Sequence, residues 1–206
     1  MLIPKGSRLI MNLHYTVSGK PGTDRARGAL EILPNKPKNL VHMWDRGGPG
    51  QDNIIPAGNP NFPGEASAVF TRDVKLSWLQ PHFHVRGKDW KYTLTYPDGR
   101  KEVLLDVPKY EFLWQTIYYP DKPITFPAGT RLDVIGHWDN SAANKMNPDP
   151  TVPAIMGQQN WEEMYNIQVY VIIPSDMKLE EAVAEVVPPG RGRRAVNGTP
   201  QGTATQ

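Results

Sequence analysis

Between residues 66 and 96 the chain reads A-S-A-V-F, V-K-L-S-W-L, H-F-H-V-R and W-K-Y-T-L-T-Y, four short stretches leaning towards period-2 alternation. Such alternation suits strands with one buried face, because successive side chains point to opposite sides of an extended chain. The β-branched and aromatic residues that fill the stretches pack well on a pleated surface. They end at Tyr96-Pro97-Asp98-Gly99. There proline presets φ at the second turn position and glycine accepts a positive φ. This run is incompatible with a helical bundle. The 18 Gly and 21 Pro spread along the 206 residues extend the same argument, favouring many short strands joined by turns.

Further strands are predicted at 9–16, 28–33, 40–44, 101–106, 112–119, 131–138 and 165–173. Ser175 or Asp176 is placed to cap a short helix over 176–187, whose Leu179, Val183 and Val186 share a face. From Pro188 to Gln206 the composition turns to Gly, Arg, Thr and Gln and predicts a disordered tail. The fold class that follows is all-β: an antiparallel jelly-roll β-sandwich of about eight to ten strands.

The net charge of +2 includes three tail arginines (Arg191, Arg193, Arg194), so the body carries −1. No basic stripe is available to hold phosphates, which argues against nucleic acid. The chain has no cysteine, so thiolate metal sites, thiol nucleophiles and disulfides are excluded. No apolar run reaches the length of a membrane span. The N-terminal M-L-I-P-K-G-S-R-L-I-M-N lacks the apolar region and cleavage site of a signal peptide. It reads as a turn leading straight into a strand.

Five histidines are present, and two of them, His82 and His84 in P-H-F-H-V-R-G-K, sit two apart where an extended chain puts them on one face. That geometry suits a metal ion or simply a shared polar surface. Other candidate donors are His14 on a strand, His137 at a strand end, and Met164 in W-E-E-M-Y-N, an unusually polar setting for a core thioether. Two imidazoles and a thioether select a soft ion, copper ahead of zinc or magnesium. His42 in L-V-H-M-W reads as structural. The stretch D-N-S-A-A-N-K-M-N-P-D-P (139–150) carries enough oxygens for calcium, but its spacing fits a series of Asx turns better.

Taken together, L-H-Y-T-x-x-G-K-P-x-x-D near the start, P-H-F-H-V-R-G-K, V-P-K-Y-E-F-L-W-Q, the 139–150 stretch and W-E-E-M-Y-N resemble one family over about residues 1–174. It is the copper type II ascorbate-dependent monooxygenases, which include the peptidylglycine α-hydroxylating and dopamine β-monooxygenases, and the likeness is to their bacterial branch. The resemblance implies that residues 40–174 are the second of two jelly-roll copper domains and 1–39 the closing strands of an incomplete first one. It implies an oxygen-activating copper held by His82, His84 and Met164. His14 would then be the last of three histidines for a second, electron-transfer copper. The implied activity is hydroxylation of a C–H bond with O2 and ascorbate as electron donor, outside the cytoplasm. The substrate would be a small molecule or peptide-like. Asn166, Gln80 and His137 are candidate substrate residues. Gln80 stands where the peptide-amidating enzymes have an arginine, and Gln168 where they have a tyrosine, which weighs against a peptidylglycine substrate.

Two alternatives stay open. A cupin would gather His82, His84, Asp89 and His137 around iron, manganese or zinc, although His137 falls at the wrong distance from Gly129. A non-catalytic copper-binding β-sandwich would use the same copper ligands without turnover.

Overall fold

The computed structural model describes residues 3, 5–15, 18–45 and 54–186. Two antiparallel sheets pack face to face. The smaller holds β1 (Asn39–Trp44), β3 (Val74–Leu79), β6 (Ile124–Phe126) and β8 (Val169–Pro174) in the order β1-β8-β3-β6. The larger holds β2 (Phe62–Phe70), β4 (Gly87–Thr95), β5 (Lys101–Val107), β7 (Arg131–Trp138) and β9 (Val183–Glu185) in the order β5-β4-β7-β2-β9. The all-β sandwich follows from the alternation. On β4, Trp90, Tyr92 and Leu94 are buried while Lys91 is exposed, and on β7 Leu132, Val134, Gly136 and Trp138 alternate with part-exposed neighbours. Each buried large apolar side chain contributes about 1.5–3 kcal/mol of burial free energy.

At the Tyr96–Gly99 corner the Gly99 N–H donates to the Tyr96 carbonyl, with Gly99 at φ 86°, so the turn joins β4 to β5 as its residues require. Between the sheets Phe83 sits among Trp90, Trp138, Tyr110 and Tyr165, with ring centroids 4.3, 4.6, 5.7 and 5.5 Å away. Phe83 is fully buried. It anchors the crossing at which the chain leaves the smaller sheet after β3 and enters the larger one as β4.

Several local expectations are corrected. The stretches 9–16 and 28–33 form no strand among their described residues, and Leu9, Ile10, Leu30, Ile32 and Leu33 are exposed. A strand needs a partner edge for its N–H and C=O groups, and alternation alone does not supply one. H-F-H-V-R is extended only as far as a single bridge at His82, then turns, the Gly87 N–H donating to the His84 carbonyl. Residues 112–119 form an irregular segment with one bridge, Leu79 to Tyr118. The three-residue β6 has no counterpart in the expectation. The C-terminal helix α1 is one turn (Leu179–Ala182) with Lys178 rather than Ser175 or Asp176 at its N-cap. Val183 then leads β9 along β2, as a β-branched residue beside an open edge will. The tail 188–206 lies outside the described residues. Among the described residues no helix is long and apolar enough to cross a membrane.

Candidate metal centre

The extension of β3 past Leu79 carries His82, which is part-buried, and His84, which is buried. Pro81 and Phe83, the residues alternating with His82, are buried. The two imidazoles stand with centroids 5.3 Å apart at an interplanar angle of 84°. Two rings that share an ion through nitrogens at about 2.0–2.1 Å stand about this far apart. His82 Nδ1–H donates to Gln115 Oε1 at 2.7 Å, and Gln115 Nε2 in turn donates to the Phe112 carbonyl, which fixes the amide orientation. His84 Nδ1–H donates to the Glu162 carbonyl at 3.1 Å. With both Nδ1 positions engaged, each imidazole keeps Nε2 as its lone-pair nitrogen, the arrangement a metal-ligating histidine adopts. Burial holds both histidines below the usual imidazole range. The Gln115 bond and the Asp45 charge oppose this at His82, and the Glu162 carbonyl opposes it at His84. The neutral, ligating form is therefore favoured at neutral pH.

The third candidate donor, Met164, lies on the segment opposite. His82 and Asn166 exchange both backbone bonds, at 2.9 and 3.0 Å, as an antiparallel pair. Met164 lies two residues before Asn166 on the same segment. Burial alternates along 163–169: Glu163, Tyr165, Ile167 and Val169 face in, while Met164, Asn166 and Gln168 are part-exposed. Met164 and Asn166 thus share the part-exposed face of the segment that pairs with His82. Gln80 lies one pair along, its N–H donating to the Gln168 carbonyl at 3.0 Å.

Glu163 accounts for the polarity around Met164. Its carboxylate is fully buried and accepts the His84 N–H (2.9 Å), the Arg86 N–H (2.7 Å) and the Trp138 indole N–H (3.1 Å), with the Arg86 guanidinium 3.9 Å away. Burial pushes this carboxyl up to about 7 against the pull of those donors. One inward acid therefore fastens the H-F-H-V-R turn to the methionine strand. The neighbouring stretch 139–150 is the Asx series expected of it: Asp139, Asn144, Asn147 and Asp149 each accept the N–H two residues on. Asn140 is fully buried and bonded to Arg86, Asn147 and three backbone carbonyls, so its oxygen is committed to structure rather than to an ion.

The remaining candidates fall elsewhere. His137 projects from the outward face of the larger sheet, where its Nδ1 meets Asp89 Oδ1 at 2.6 Å across the β4–β7 pairing. Asp89 and His137 pair with each other, and among the described residues no three His, Asp or Glu side chains form a group able to hold a metal. The four-residue cupin set is thus not assembled. His14 lies on the exposed N-terminal segment, near enough that its charge disfavours protonation of His82. His42 is part-buried on β1, with Nε2 enclosed and without a hydrogen-bond partner.

Gln115, Glu163, Phe112 and Asp45 are site residues that sequence reading missed. Phe112 approaches His84 edge-on at 6.1 Å. For Glu163 the signal was present: period-2 alternation through E-E-M-Y-N-I-Q-V turns one of the two acids inward. Beyond Pro81 the cleft lined by Val107, Lys109, Tyr110, Trp114 and Tyr118 holds about 50 Å³. That is far smaller than the few hundred Å³ a drug-sized ligand needs. No protein-family model and no curated protein matches the chain at a significant level.

Proposed function

We propose that this chain carries a mononuclear copper centre, His82, His84 and Met164, and serves C–H hydroxylation with O2 and an ascorbate-type reductant, outside the cytoplasm, as its resemblance to the copper monooxygenases implies. The observation that supports this most is the approach of two imidazoles, each with Nδ1 engaged and Nε2 left as a lone pair, beside a segment that pairs with His82 at Asn166 and carries Met164 two residues earlier. Two imidazole nitrogens and a thioether form a soft donor set that suits copper in its reduced form. When bound, the metal would supply oxygen activation.

The chain's own residues have separable tasks. Gln115 and the Glu162 carbonyl fix the tautomer and orientation of the two rings. Glu163 locks the turn beneath them to the Met164 strand. Asn166, Gln80 and Gln168 border the centre with neutral amides, and Phe112 offers an apolar edge. This setting fits a substrate other than a peptide carboxylate, which calls for a cationic clamp.

The purified chain is expected to bind one copper, with nitrogen and sulfur scatterers both visible by X-ray absorption in the reduced state. Met164→Ala should remove the sulfur scatterer. A wild-type centre with nitrogen and oxygen neighbours alone refutes the assignment. Oxygen consumption with ascorbate distinguishes an oxygenase from a copper-binding module.

A further inference from the structure

β1 ends at Trp44, which pairs with Val169 of β8, and the same register sets Asp45 across from Gln168. On the other side of Gln168 stands Gln80, bonded through its N–H to the Gln168 carbonyl. Asp45, Gln168 and Gln80 thus form one row across three strands, next to the row that contains Asn166 and His82. Gln168 is the one non-glycine residue with positive φ among the described residues, at 27°. Such a backbone carries strain of about 1–3 kcal/mol unless its surroundings over-determine it. It lies where the irregular Met164–Ile167 strand becomes regular β8.

Asp45 faces this corner. Burial pushes its carboxyl up, and the N–H groups of Gln168 and Ile167 together with the charge of His82 pull the other way. Its Oδ1 is enclosed and has no hydrogen-bond partner. A carboxylate kept in such a place with half of its acceptors unused is costly to the fold. Its value lies in what the other half holds.

We propose that Asp45 is a positioning residue for the metal centre: it holds the strained Gln168 corner, and through it the pairing that sets Asn166 against His82 on the segment that carries Met164. Loss of the carboxylate lets Gln168 relax to an ordinary φ. The shift passes to the Asn166–His82 pair two residues away and to the Gln80 bond. The copper part of this claim rests on the copper assignment above, whereas the backbone part does not.

The test uses Asp45→Ala and the isosteric Asp45→Asn in the full chain. In metal-free protein, amide hydrogen exchange at Gln80, His82 and Asn166 should accelerate at least about tenfold in Asp45→Ala, with Trp90 and Tyr92 of β4 unchanged. Reduced-copper affinity, measured by chelator competition, should fall about 10- to 100-fold, the range for losing a group that orients metal ligands. Asp45→Asn keeps an acceptor without the charge and should recover most of the protection. It covers the case in which the alanine variant does not fold. Unchanged exchange in Asp45→Ala, or affinity within twofold of wild type despite changed exchange, overturns the proposal. A wild-type chain that binds no copper overturns the copper assignment alone, since the exchange measurements still decide whether Asp45 holds the corner.

Discussion

Gly87 begins β4 three residues after His84, at the point where the chain has just crossed between sheets. A Cβ built there would lie 2.5 Å from Phe83 Cβ, 2.6 Å from Tyr110 Cδ1 and 2.7 Å from Phe83 Cδ2. The first of these is an atom next to the backbone, so no rotamer change relieves it. Either residues 83–87 shift as a unit or the Phe83 ring leaves its place among Trp90, Trp138 and Tyr165. Overpacking of this kind costs about 1–3 kcal/mol. Displacing a fully buried ring adds part of the roughly 3–5 kcal/mol that its removal would cost. Gly87→Ala should therefore lose about 2–4 kcal/mol in urea unfolding, with an unchanged slope. Because Phe83 separates the two histidines, the same substitution should weaken copper binding. Gly99→Ala is the control: its Cβ meets nothing within 4 Å, so only the positive φ of 86° is penalised, by about 1 kcal/mol, with no effect on copper. A Gly87→Ala protein as stable as Gly99→Ala, with wild-type copper affinity, would refute the view that the aromatic nest positions the histidine pair.

Three further outcomes are expected. With its carboxyl at about 7 in the fold and near 4.5 in the unfolded chain, Glu163 binds its proton more tightly in the native state. Glu163 should accordingly contribute a loss of stability as pH rises from about 4.5 to about 7, of up to roughly 3 kcal/mol, against the opposite contribution of the buried His82 and His84, and Glu163→Gln should remove that contribution in urea titrations run across the window. Gln115→Ala frees the His82 ring and should lower reduced-copper affinity about 10- to 100-fold by chelator competition, with little change in urea midpoint. Tyr92→Phe removes the buried bond from Tyr92 Oη to the Ile167 carbonyl (2.7 Å) and should cost about 1–2 kcal/mol in the same unfolding assay.

What could be read from the residues was what depends on near neighbours. The period-2 stretches of β3, β4 and β7 became strands because each finds a partner and a buried face, and Y-P-D-G became the turn its φ preferences demand. H-x-H placed two imidazoles together because two residues along an extended chain return to the same side. The Asx series followed from short side chains reaching the N–H two positions on. Where pairing partners decide, the residues misled. Leu9 to Tyr15 alternate as well as β1 does, yet no edge is offered to them among the described residues. Residues 112–119 looked like a strand, but Gln115 is drawn to His82 and the segment stays irregular. Asp45 carried no signal at all, because its meaning comes from Gln168, more than a hundred positions away and adjacent only through the β1–β8 register.

The bond from the His84 N–H to Glu163 spans 79 positions, and this bears on the order of events during folding. The histidine pair and the methionine belong to chain segments that meet only after a loop of that length has closed, with the entropy that closure costs. Contacts of such sequence separation form late and slowly. Before then a copper ion of the proposed centre would find the two histidines without Met164. The proposed ion is therefore not expected to template the sandwich as zinc templates a finger. On the proposed assignment, protein made without copper should refold fully and accept the metal in a later, separate step.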